Sequence, residues 1–213
     1  MATKAIMFDL DGTLLNTLED IADSMNQALM DNGLPVHDID TYRYFVGNGI
    51  TTLAKRACGM REDLIHAVLK AYKAYYTAGC QNKTRPYDGV MDMLTALISK
   101  GYKLCVFSNK PHQDTLDVVA HYFPNIPFRA VRGQTENVPV KPDPTGALET
   151  SKDMGIAPKD FIYVGDTGVD MDCANAAGMV PVGVLWGFRP QEELTAHNAL
   201  HLIERPLDLL TLL

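Results

Sequence analysis

The chain has 213 residues, 46% of them apolar and 21% charged, which suits one large folded domain or one with a modest insertion and excludes a disordered tail. Its formal net charge of −7 argues against a nucleic-acid partner, although a local cation can still draw an anionic substrate into one site. No run of about 18 apolar residues reads as a membrane span, no secretory h-region follows Met1, and Cys58, Cys80, Cys105 and Cys173 lack metal or disulfide spacing, so the chain reads as a cytoplasmic protein with reduced thiols.

In chain order, Ala5–Phe8 reads as a buried strand that runs into Phe8-Asp9-Leu10-Asp11-Gly12-Thr13. In a continuing strand the carboxylates of Asp9 and Asp11 point to one face. Two such charges repel and raise a pKa unless a cation relieves them. Gly12 lets the backbone turn tightly beside a ligand. A polar turn closing a strand is the plain alternative.

Residues 15–86 read as helical, with no convincing strand. Thr17-Leu-Glu-Asp20 fits a capping box ahead of the stripe Leu18, Ile21, Ala22, Met25 and Leu29. Leu64, Ile65, Val68, Leu69 and Tyr72 form a second stripe. Between them, Arg43-Tyr-Phe-Val-Gly47-Asn48-Gly49 is a glycine-flanked turn. Its amides suit a small anion and Arg43 could meet a carboxylate; a plain helix–helix turn with a surface arginine is the alternative. A helical block between the first and second strands is most simply an inserted cap over the carboxyl ends of the sheet. Arg85-Pro86-Tyr87-Asp88-Gly89 reads as the return hinge. The division expected is a core of residues 1–14 and 87–213 and a cap of residues 15–86.

Beyond residue 88 strands and helices alternate. Met91, Leu94, Leu97 and Ile98 mark a helix face stopped by Gly101. The strand Tyr102–Phe107 ends in Ser108-Asn109, and the helix face Leu116, Val119, Ala120 and Phe123 follows it. After the strand Phe128–Val131, Val140-Lys141-Pro142 offers an ammonium. A hydroxyl, amides and a lysine are what a phosphoryl group requires, yet alone Ser-Asn is a common turn and a lysine a surface charge. The strand Phe161–Val164 runs into Gly165-Asp166-Thr167-Gly168-Val169-Asp170. Its two carboxylates suit a hard ion such as Mg²⁺, or Asp170 merely caps a helix over Met171–Ala177. The strand Val180–Leu185 completes the pattern. The alternation predicts an α/β fold, a Rossmann-like parallel sheet with helices on both faces plus the inserted all-helical cap. Trp186-Gly-Phe188 reads as core and turn, and His197 with His201 as a solvated helix end lacking the glutamate of a zincin. The tail from Pro206 either packs on the core or meets another subunit, so monomer and homodimer both stay open.

Taken together, Asp-x-Asp, Ser, Lys and Gly-Asp-x-x-x-Asp, in that order on strand-associated loops from Ala5 to about Arg189, resemble the haloacid dehalogenase superfamily of aspartate-nucleophile phosphohydrolases, in the branch with a helical cap. The resemblance implies Asp9 as nucleophile, forming an aspartyl-phosphate, and Asp11 as general acid and then base. It implies that Gly12, Ser108, Asn109 and Lys141 hold the phosphoryl group. It implies Mg²⁺ bound by Asp9, the Asp11 backbone carbonyl, Asp166 and Asp170. The cap turn with Arg43, Gly47, Asn48 and Gly49 is similar to the substrate-facing loop of phosphoglycolate phosphatases, although Asn16 and Ser108 depart from their usual Asp and Thr. The implied activity is that of a phosphoric monoester hydrolase acting on a small phosphorylated metabolite, phosphoglycolate first. Pyrophosphate, sugar phosphates and nucleotides are the alternatives within the branch. A β-phosphoglucomutase-like phosphomutase is disfavoured by Ile21 where those proteins carry a hinge histidine, and Asp11 argues against dehalogenation. Lys55, the candidate Schiff-base lysine of phosphonate hydrolases, is expected to face solvent. A non-catalytic phosphoacceptor or binding protein is the reading from a different class.

Overall fold

β1 (Ala5–Phe8) is apolar throughout because both of its faces are covered. Ile6 and Phe8 pack into one core with Leu94, Leu97, Val118 and Phe123. Ala5 and Met7 pack into another with Ala147, Cys173 and Ala174. This computed structural model describes residues 4–213; of the expected core segment 1–14, residues 1–3 lie outside the described residues.

The chain continues through β2 (Leu15–Asn16), β3 (Arg85–Pro86), β4 (Lys103–Pro111), β5 (Ala130–Gln134), β6 (Phe161–Gly165), β7 (Val180–Val184) and β8 (His201–Ile203). Six of these strands form a parallel sheet in the order β5-β4-β1-β6-β7-β8. From β1 the chain steps outward to β4 and β5, then crosses to β6 on the other side of β1. The strand order therefore reverses at β1, and the crevice for a ligand opens at the carboxyl ends there. Asp9 follows β1 and Asp166 follows β6 at that end.

Helices α1 (Leu18–Asp31), α2 (Ile39–Phe45), α3 (Ile50–Cys58) and α4 (Ile65–Gly79) lie between β2 and β3 and share a core of their own. The α1 stripe is buried as expected, and on α4 Val68, Tyr72 and Tyr76 are buried while Leu64, Ile65 and Leu69 flank them. Five helices accompany the sheet: α5 (Val90–Ser99), α6 (His112–Tyr122), α7 (Thr145–Met154), α8 (Gly168–Ala177) and α9 (Gln191–Ala196). The closing 3₁₀ helix Pro206–Leu212 buries Leu209 and packs on α5.

Several local expectations are corrected. Thr17 makes no capping bond and its Oγ1 is buried without a partner. Asp20 is drawn away from the expected capping box because it accepts from the Lys83 and Thr84 amides, at 3.0 and 2.8 Å, and from the Thr84 hydroxyl at 2.8 Å. The segment read as strandless holds β2 and β3, which pair antiparallel as the chain enters and leaves the helical layer. Two residues are too short to show alternation. On α5 the inward face is Val90, Met93, Leu94 and Leu97, while Met91 is exposed; on α6 it is Thr115, Val118 and Val119, while Ala120 is exposed. β4 runs on to Pro111, β5 starts at Ala130, and β8 was not anticipated. Trp186 Nε1 donates to the Thr13 carbonyl, and His197 pairs with Asp172. Among the described residues no helix is long and apolar enough to cross a membrane, and all four cysteines are free.

Candidate active site

The polar ends of β1, β4 and β6 converge with Lys141. Lys141 is 1% exposed, and its Nζ donates to Asp9 Oδ1 at 2.8 Å, to Asp170 Oδ1 at 2.7 Å and to the Phe107 carbonyl at 3.2 Å. Asp9, Asp166 and Asp170 each place a carboxylate oxygen within 4.8 Å of the others. Asp166 is fully buried and accepts only neutral donors, the Thr13 hydroxyl at 3.0 Å and the Phe188 amide at 2.9 Å. Asp170 caps its helix through a capping box, from the third helical position and not as the N-cap. Thr167 is the N-cap, and Asp170 in the first turn accepts from the Thr167 amide and hydroxyl while its other oxygen faces Lys141.

The electrostatics follow from burial. Burial first, then the charge of Asp170, pushes the Asp9 carboxyl up to about 7 against the pull of Lys141. Burial, Asp170 and Asp9 raise the Asp166 carboxyl well above the ordinary carboxylate range. Burial works against a charged Lys141, but Asp170 and Asp9 outweigh it and hold the ammonium charged. Three buried carboxylates with one ammonium between them leave an excess of negative charge that a hard divalent cation fits, since every donor is oxygen.

Gly12 has φ +87°, and a Cβ there would lie 2.2 Å from Asp166 Oδ2, so a glycine is what lets the β1 turn lie against Asp166. The Gly12 amide is not free for a phosphoryl oxygen, because it donates to the Leu15 carbonyl at 2.8 Å. Ser108 faces the cavity, and its hydroxyl accepts from the Lys110 amide at 3.2 Å. The Asn109 side chain is committed elsewhere. Its Nδ2 donates to the carbonyls of Gly47 and Lys141, and its Oδ1 accepts from the Lys141 amide at 2.8 Å. Asn109 therefore ties the cap turn and the Lys141 backbone to β4.

A small cavity lined by Asp9 and Asp11 opens at this cluster, between sheet and helical layer. Ile21, Val46, Ile50, Leu53, Tyr72 and Tyr76 form its apolar wall, and Gly47 and Gly49 also line it. Arg43 does not point into it as a carboxylate ligand. Its Nε pairs with Asp40 at 3.2 Å and its Nη1 donates to the Gly187 carbonyl at 3.3 Å, because the turn directs it along the outside of the cap–core seam. Asn48 is absent from the lining. Arg189 holds the same turn from the core side, donating to the Val46 carbonyl at 2.9 Å and stacking on Tyr44. Lys55 is exposed.

The residue that sequence reasoning missed is Lys110. Its Nζ lies 3.0 and 2.9 Å from the two carboxylate oxygens of Asp11 and 4.7 Å from the centroid of the Tyr76 ring. Burial opposes its charge, but Asp11 beside it keeps the ammonium protonated above its ordinary range. Ser108 and Lys110 are two apart on a strand and so share a face, which was the available signal.

Residues 6–184 match the family model of haloacid dehalogenase-like hydrolases. The chain belongs to that family. Among its relatives, a phosphoglycolate phosphatase of Haemophilus influenzae (strain 86-028NP) is 32% identical, the match covering 99% of this chain and 98% of the relative. A phosphoglycolate phosphatase of Aquifex aeolicus is 31% identical over 99% of this chain and 96% of the relative. The crystal structure of a predicted phosphoglycolate phosphatase from Haemophilus somnus superposes with a TM-score of 0.92 at 30% identity, covering 99% of this chain and 97% of that one. The four motifs of this haloacid dehalogenase-like hydrolase therefore sit in a fold shared over nearly its whole length.

Proposed function

We propose that this hydrolase is a Mg²⁺-dependent phosphomonoesterase that acts on a small phosphorylated metabolite through an aspartyl-phosphate, with phosphoglycolate as the first candidate substrate. The observation that carries the reading is the convergence of Asp9, Asp166, Asp170 and Lys141 beneath a small, largely apolar cavity. The full-length likeness to phosphoglycolate phosphatases supports the substrate. A small polar metabolite and four unpaired thiols favour a cytoplasmic setting. Residues 1–14 and 87–213 act as catalytic core and residues 15–86 as cap.

Asp9, the Asp11 backbone carbonyl, Asp166 and Asp170 would hold the ion. The chemistry such an ion supplies is charge neutralisation at the phosphoryl oxygens. Lys141 and the Ser108 hydroxyl bind those oxygens as well. An Asp9 oxygen attacks phosphorus, the bond to the ester oxygen breaks, and Asp11 gives that oxygen a proton. Asp11 then takes a proton from water, the water oxygen attacks the phosphorus of the aspartyl-phosphate, and the Asp9 oxygen leaves as inorganic phosphate forms. The apolar wall and the cap turn held by Asn109 and Arg189 exclude bulk water during both transfers.

The test is a phosphate-release screen over phosphoglycolate, sugar phosphates, nucleoside monophosphates, pyrophosphate and p-nitrophenyl phosphate, with Mg²⁺ and with chelator. Release that needs the ion, with phosphoglycolate among the best substrates by kcat/KM, is the expected result. No release from any of them overturns the reading.

A further inference from the structure

Lys110 is the one cation lining the cavity among the described residues, and the carboxylates of Asp9, Asp11 and Asp114 line it too. Its side chain is 4% exposed and grips both oxygens of Asp11. The two transfers derived above make no use of it. Yet a leaving oxygen that reaches Asp11 comes within a carboxylate's breadth of the Lys110 ammonium. On the cap side the wall offers no charged group there, and the Tyr76 ring centroid lies 4.7 Å from Nζ.

We propose that Lys110 determines specificity by binding a second anionic group on the leaving side of the substrate, which takes the place of Asp11 on its ammonium. A carboxylate and a second phosphoryl group share the required chemistry, an anionic acceptor a few atoms from the ester oxygen. In a cleft this dry the charge-assisted bond is stronger than in water. With the substrate's anion on Lys110, Asp11 turns to the leaving oxygen. A neutral leaving group has nothing to exchange, and the Lys110–Asp11 pair stays closed. The site therefore selects by a second charge as well as by size. This rests on the phosphatase reading and names the substrate class within it.

The experiment compares kcat/KM for phosphoglycolate, pyrophosphate and ethyl phosphate in the wild-type protein and in Lys110→Met. Ethyl phosphate carries a methyl group where phosphoglycolate carries the carboxylate. The wild-type protein should prefer at least one of the two substrates with a second anionic group over ethyl phosphate by tenfold or more. The variant should lose that preference by about 10- to 100-fold, the worth of one hydrogen bond to a charged group. Which of the two substrates shows the effect tells a carboxylate from a phosphoryl group. A wild-type ratio near one overturns the proposal, and so does an equal loss for all three substrates, which would mean that Lys110 acts only on Asp11. Lys110→Gln, similar in length and still a donor, serves the same comparison if the methionine variant does not fold. Turnover without preference sinks this inference alone, whereas no turnover of any monoester sinks the phosphatase reading.

Discussion

Gly12 and Asp166 are far apart in the chain, yet a Cβ on residue 12 would stand 2.2 Å from a carboxylate oxygen of residue 166. The turn after β1 and the loop after β6 are thus fitted to each other at the point where the acidic cluster forms. A Cβ on Gly187 would likewise lie 2.2 Å from the Asp166 Cβ, so two glycines let their backbones approach this one side chain.

Gly12→Ala should therefore fail twice. The positive φ of residue 12 strains an alanine, by about 1–3 kcal/mol, and the methyl group displaces Asp166. Thermal unfolding should show the lost stability in chelator. The rise in midpoint on adding Mg²⁺ should shrink more than that strain accounts for. A variant that responds to Mg²⁺ like the wild type would mean that Asp166 tolerates the shift.

Lys141→Met removes the ammonium shared by Asp9 and Asp170. Breaking a buried pair by deleting one partner costs about 3–5 kcal/mol. Phosphatase turnover should fall by at least two orders of magnitude, on the scale of losing one preorganised charge contact to the transition state (~3–4 kcal/mol). Denaturant titration and initial rates check the two effects separately. A stable variant with near-normal rates would place the phosphoryl group elsewhere.

The pH dependence has a definite sign. The Asp9 carboxyl stands at about 7 in the fold, against 3.8 as its ordinary value. Between those values the folded protein keeps a proton that the unfolded chain has lost. In chelator, stability should be fullest below the lower value and decline as pH rises through the upper one. Divalent ions favour the ionised carboxylates, so the midpoint gained on adding Mg²⁺ should be larger at pH 8 than at pH 5, with protons released on binding at intermediate pH. Calorimetry in buffers of different ionisation enthalpy measures that release. A midpoint gain independent of pH would contradict the burial of ionised groups at this site.

Asp20→Ala should loosen the hinge rather than the chemistry. The carboxylate ties α1 to the Lys83 and Thr84 amides as the chain leaves the helical layer. Each bond to a charged group is worth about 1.5–3 kcal/mol. Hydrogen exchange should quicken at residues 83–86 while the β1 and β6 amides stay protected. Uniform loss of protection would mean that helical layer and sheet unfold as one unit.

How much was legible in the sequence depends on the kind of signal. Asp9, Asp166 and Asp170 stand at or just past the ends of apolar strands, so local pattern singles them out, whereas Lys141 gains meaning only from its place in the ordered set of motifs; the parallel sheet follows from the alternation of strand and helix. Arg43 shows the limit. A glycine turn says that a loop exists, but where a long side chain on it points depends on the groups across the seam, here Asp40 and the Gly187 carbonyl. Asp20 scans as a capping box because three-residue spacing cannot reveal that two amides more than sixty residues on compete for the same carboxylate. Lys110 looks like a surface charge before a proline, and only the approach of Asp11 and Tyr76 makes it a buried cation.

The central claim is that Asp9 is phosphorylated. Asp11→Asn should slow hydrolysis of the intermediate, so acid quenching during turnover of an activated substrate, followed by borohydride reduction and peptide mass spectrometry, measures it directly. The expected product is homoserine at residue 9 and nowhere else. Homoserine at residue 166 or 170, or no reduced residue in a protein that still releases phosphate, would contradict the account.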